Sequence, residues 1–104
     1  MENLELHNWA IKSIGEYYGL PIQKGKAIEE LGELIVALQK DILASTFSSA
    51  NDNTVSDEVI EEIADVAIML EQLVALSKSG EKMNRKMEHK LIRQLNRIKE
   101  EQTK

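Results

Sequence analysis

A chain of 104 residues, 42% hydrophobic and 30% charged, is long enough for one domain and too short for two. Its 13 Lys+Arg against 18 Asp+Glu give a net charge of -5, which argues against a nucleic-acid polymer as partner, and the absence of cysteine excludes disulfides, thiolate zinc sites and cysteine nucleophiles. No window approaches the roughly 18 uninterrupted apolar residues of a membrane-spanning helix, and Met1-Glu2-Asn3-Leu4-Glu5 lacks the basic-then-apolar start of a signal peptide, so a cytoplasmic location is expected.

With one Pro, five Gly and no useful stretch of strand-like alternation, the class is all-α, and a four-helix, antiparallel bundle is expected. The first helix is predicted over residues 2–18, with Leu6, Trp9, Ala10, Ile14 and Tyr17 near helical spacing and a stop at Gly19-Leu20-Pro21. A second is predicted over 22–43. Residues 44–53 are rich in Ser, Thr, Asn and Asp, which bond their own backbone outside helices, and form the expected main loop. Thr54 is the expected cap of a third helix running to Lys78, with Asp57 near the positive end of its dipole. Gly80 is the expected left-handed stop, and the last helix is predicted over 81–101.

Leu34-Ile35-Val36-Ala37-Leu38 and Val66-Ala67-Ile68-Met69-Leu70 are apolar runs long enough to cover every side of a helix. A chain this short has little surface with which to enclose two such helices, so a partner chain is expected to cover them, most simply a second copy. Trp9, Tyr17 and Tyr18 are expected in the core rather than on a nucleobase.

The second and third helices repeat one pattern. Glu29-Glu30-Leu31-Gly32-Glu33 aligns with Glu61-Glu62-Ile63-Ala64-Asp65, and both segments lead into the apolar runs. At about 100° per residue, Glu30 and Glu33 share one stripe, as do Glu62 and Asp65. Like charges three residues apart repel, and apolar surroundings add a desolvation penalty, so a cation is expected between them. Oxygen ligands without His or Cys suit a hard ion, Mg²⁺ or Mn²⁺. Iron is disfavoured, since neither His7 nor His89 completes a Glu-x-x-His motif. Gly32 and Ala64 are expected to admit a close neighbouring helix. Lys26 is expected to pair with Glu30, while acids outside this pattern, including Asp41 and Glu71, are read as solvated charge.

The last helix carries the opposite sign. From residue 81 onward there are eight Lys+Arg and four Asp+Glu, against five and fourteen in the first 80 residues. Lys82, Lys86, Lys90, Arg93 and Arg97 form one stripe beside the apolar stripe Met83, Met87, Leu91 and Ile98. Packing of the apolar stripe would bring the basic one toward the carboxylates, with phosphate groups between. Lys90 and Arg93, in mid-helix, are the stronger candidates, and Lys86 joins them.

Glu29-Glu30-x-x-Glu33 followed by Glu62-x-x-Asp65 resembles the EExxE and ExxD signature of the all-α, MazG-like nucleoside triphosphate pyrophosphohydrolases. Glu62-Ile63-Ala64-Asp65-Val66 is similar to the third-helix sequence of that family, and Lys90-Leu91-Ile92-Arg93 to the basic fourth helix of its small single-unit members. The resemblance implies that Glu30, Glu33, Glu62 and Asp65 coordinate Mg²⁺ and that Glu29 assists as an additional ligand or by positioning water. It further implies conversion of a nucleoside triphosphate to the monophosphate and pyrophosphate, Lys90 and Arg93 on the phosphates, and a homodimer or homotetramer. A non-enzymatic helical oligomerisation or regulatory module is the competing expectation.

Overall fold

The computed structural model describes residues 2–47 and 54–103. They form four α-helices, α1 (Glu2–Tyr18), α2 (Leu20–Phe47), α3 (Asp57–Ser77) and α4 (Gly80–Gln102), with no strand among the described residues. The all-α reading is correct.

The helix ends show which local signals dominate. Gly19, at φ 86, reverses the chain between α1 and α2 while its N–H still donates to the Gly15 carbonyl at 2.8 Å. Only glycine takes that conformation without a Cβ penalty. Pro21 then sits in the first turn of α2, where a missing N–H breaks no helical bond. At its other end α2 runs through Ala44 to Phe47, four residues into the expected loop, and residues 48–53 of that loop lie outside the described residues.

Two expected caps are corrected. Ser56, not Thr54, caps α3: its Oγ accepts the Val59 N–H at 3.2 Å, and Asp57 and Glu58 occupy the first turn. The stop of α3 is Lys78, at φ 55, and Gly80 instead begins α4. The Ser79 N–H reaches the Val74 carbonyl at 3.2 Å, so the end carbonyls of α3 are satisfied without a glycine. A left-handed lysine costs roughly 1–2 kcal/mol, which this capping offsets.

Helices α2 and α3 form the main packing unit, α1 lies against both, and α4 touches only α3. The direction of α2 against α3 follows from its end contacts. Gln23 at the start of α2 donates to Gln72 near the end of α3, while Lys40 and Glu58 meet at 3.2 Å at the other end, so the two run in opposite directions. Ile11, Ala27, Ala37, Val59, Val66 and Met69 make the apolar core. Alanines on α2 facing valines on α3 allow this close approach. The approach expected at Gly32 occurs instead at Gly15, where a Cβ would lie 3.3 Å from Leu76; a Cβ at Gly32 would meet nothing within 4 Å.

Much of the apolar surface stays uncovered. Of the two apolar runs, only Ala37, Val66 and Met69 are buried, and Ile35 is 56% exposed. Trp9, Tyr17 and Tyr18, expected in the core, are exposed, the two tyrosine rings packing edge-on with centroids 4.9 Å apart. On α1 only Ile11 and Gly15 are buried, because α1 rests on α3 along a narrow seam. Helix α4 has no buried residue. None of the four helices is long and apolar enough to cross a membrane.

Candidate metal centre

The acids predicted from the repeated pattern converge because α2 and α3 run oppositely and close together. Glu30, Glu62 and Asp65 each place one carboxylate oxygen within 4.8 Å of the others. Glu30 and Glu62 are half-buried, and Oε2 of each is closed off from solvent with no hydrogen-bond partner. A carboxylate oxygen in that position loses hydration and gains nothing in return.

The electrostatics carry the same strain. Burial, the first cause, lifts the Glu30 carboxyl above its ordinary 4.5; repulsion from Glu33 and Asp65 and a hydrogen bond with Glu33 push the same way, opposed by Lys26. Glu62 is raised by burial, then by Glu33 and Asp65, the hydrogen bond with Glu33, and Glu30. Glu33 thus lies near enough to raise both glutamates, though it is outside the group whose oxygens converge within 4.8 Å.

The surroundings separate the remaining expected residues. Glu29, Gly32, Glu33, Val36, Glu58 and Glu62 line an open concavity of about 450 Å³. Glu29 is exposed and lies 4.0 Å from Lys26, so the expected partner of Lys26, Glu30, is replaced by the residue one position before it. Lys26 still acts on Glu30 through its charge, which opposes the rise of that carboxyl. Lys86, Lys90 and Arg93 are exposed and share a separate concavity on α4 with Lys82, Arg85 and His89. Because α4 makes no contact with α2, one chain does not bring this basic face onto its own Glu30 and Glu33.

Several residues at or around the site were not singled out by sequence reasoning. Glu58 lines the concavity and pairs with Lys40. Asp41 is not idle surface charge, since its Oδ2 accepts the Ser56 N–H at 2.9 Å. Glu71 likewise holds His7 Nε2 at 2.9 Å and joins α1 to α3. Gln23 and Gln72 are buried and bonded to each other. Helical spacing gave a signal for Glu58, one turn before Glu62, but contacts between distant residues leave none in a single sequence.

Chemically, an all-oxygen cluster of clustered carboxylates with two orphaned oxygens fits a hard divalent cation. Glu30, Glu62 and Asp65 would hold such an ion. Comparison of the chain with protein-family models, curated proteins and solved structures finds no match.

Proposed function

We propose that this chain is a Mg²⁺-dependent nucleoside triphosphate pyrophosphohydrolase of the MazG-like kind, yielding the monophosphate and pyrophosphate. The observation that carries the reading is the convergence of Glu30, Glu62 and Asp65, with Oε2 of Glu30 and of Glu62 buried and unpartnered. Glu33, whose charge bears on both glutamates, completes the proposed ligand set, and Mn²⁺ suits the same oxygens. When bound, the ion would neutralise phosphate oxygens and lower the pKa of a water nucleophile.

The chain's own residues would do the rest. Glu29 lies at the rim of the concavity, where an ionised carboxylate can hold and deprotonate an attacking water. Lys86, Lys90 and Arg93 offer a basic face for the triphosphate. Since α4 stands apart from α2, this face belongs over the acids of a second copy, in a homodimer or homotetramer that completes the antiparallel bundle. The exposed apolar residues of α2, α3 and α4 support such an assembly.

Incubation with a panel of NTPs and dNTPs plus Mg²⁺, with an EDTA control and chromatographic product analysis, tests the reading. Monophosphate and pyrophosphate that vanish with EDTA are expected; no turnover at a concentration where the oligomer is intact overturns it. The second reading, a non-enzymatic oligomerisation module, draws on the same exposed apolar surface, and predicts that Gln replacements of the acids leave self-association intact and that Mg²⁺ does not raise Tm.

A further inference from the structure

Two amides sit where a core would ordinarily be apolar. Gln23 is 3% exposed and Gln72 is 1% exposed, and Nε2 of Gln23 donates to Oε1 of Gln72 across the α2–α3 seam. Removing an amide from water is unfavourable unless a partner is met, so the contact is satisfied only where the two side chains lie opposite one another.

The position of this pair along the helices gives it a second meaning. Glu30 lies two turns beyond Gln23 on α2, and Asp65 lies two turns before Gln72 on α3. Because the helices run in opposite directions, stepping two turns inward from the amide pair arrives at Glu30 and Asp65 together, and one further turn arrives at Glu33 and Glu62. The amides and the carboxylates therefore share one face on each helix and one axial register.

The rest of the seam specifies that register weakly. Its packed residues, Ala27, Ala37, Val59, Val66 and Met69, make non-directional contacts. A hydrogen bond between buried groups is directional, as a single polar residue in the seam of a coiled coil illustrates by fixing register. At the far end Lys40 and Glu58 also meet and Asp41 accepts the Ser56 N–H at 2.9 Å, but both contacts are exposed, and exposed polar contacts constrain register less than a buried one.

We propose that the buried Gln23–Gln72 pair is the register key that holds the carboxylates of α2 opposite those of α3. The two glutamines are positioning residues that touch no ion or substrate, and their importance to metal binding rests on the reading of the acids as a Mg²⁺ centre. Replacing both amides with apolar groups of similar shape removes the directional constraint but leaves no orphaned donor.

The test uses Gln23→Met/Gln72→Met, with Gln23→Leu/Gln72→Leu as a second pair, in the full chain. Nitroxide labels at Gln39→Cys and Glu61→Cys, both exposed positions in a chain without its own cysteine, report the α2–α3 register by pulsed electron paramagnetic resonance. The expected result is a broadened or shifted distance distribution with the urea midpoint nearly kept. A wild-type distribution in a folded double variant overturns the proposal, whether or not the protein binds Mg²⁺. Calorimetric titration with Mg²⁺ alone gives the second readout. Affinity lower by about tenfold is expected in the folded variant, the scale seen when groups that orient metal ligands are lost. Wild-type affinity in that variant overturns the proposal, whereas absence of Mg²⁺ binding by the unaltered chain removes the metal centre and leaves the distance measurement to decide the register key.

Discussion

Asp41 and Ser56 are joined at 2.9 Å, the Oδ2 of one accepting the backbone N–H of the other, so the tail of α2 is fastened to the residue that caps α3. The bond satisfies an N–H at the mouth of α3 and places a negative charge beside the positive end of its dipole. Asp41→Ala and Ser56→Ala should each destabilise the chain by about 1 kcal/mol, with a fall in Tm of roughly 4–8 °C. Thermal melts followed by circular dichroism check this.

The two raised carboxyls set a pH dependence of the metal-free protein. Folding lifts the Glu30 and Glu62 carboxyls above 4.5, chiefly through burial, so the folded chain holds protons that the unfolded chain has released. Over the interval from 4.5 to the raised values, stability then falls as pH rises and does not recover above it. With EDTA present, Tm should therefore increase as pH is lowered from 7 into that interval, and Glu62→Gln should raise Tm at pH 7. Added Mg²⁺ should raise Tm at pH 7 in the unaltered chain and flatten the dependence, since a cation supplies what the proton otherwise supplies.

Among acids lining or adjoining the concavity, roles should divide. Asp65→Ala and Glu33→Ala should reduce turnover by more than the roughly 10–100-fold typical of lost supporting groups, with the helical signal largely intact. Glu58→Gln loses its exposed pairing with Lys40 and a first-turn charge on α3, and on the proposed reading should retain most activity. Steady-state rates on the preferred nucleotide distinguish the two sets.

His7 and Glu71 form the polar tie between α1 and α3, but their side chains are 46% and 49% exposed. Water screens such a pair, so His7→Ala should cost less than about 1 kcal/mol. Filling the seam is a harsher change. Gly15→Val forces branched atoms toward Leu76, already 3.3 Å from an added Cβ, and should cost about 1–3 kcal/mol through overpacking. Urea denaturation of the two variants measures the difference.

The proposed assembly is tested through α4. Leu91 is 56% exposed on the apolar stripe, and Leu91→Glu should shift the species seen by light scattering toward the monomer while leaving helicity unchanged.

The parts of this fold legible in the sequence are those with a local cause. Helical class, the extent of α1 and the shared stripes of Glu30 with Glu33 and of Glu62 with Asp65 all follow from spacing along one helix. Caps were less legible because Thr54 and Ser56 offer the same chemistry, and the contact of Ser56 with Asp41, 15 residues earlier, leaves no local signal. The aromatic residues of α1 misled for a different reason: Trp9 and Tyr17 are apolar enough for a core, but a single chain leaves nothing to cover them. Gln23 and Gln72 were invisible as a pair because polar residues in sequence read as surface until a partner on another helix is located.

All four acids stand on α2 and α3, two helices adjacent in the chain and folded back on each other. On the proposed reading the metal-binding carboxylates thus all come from these two helices, and the flanking helices supply none of them. On that reading, substitutions in α1 and α4 would change the apolar and basic surfaces while leaving the carboxylates of α2 and α3 in place, so surface and ligand set are free to diverge at different rates.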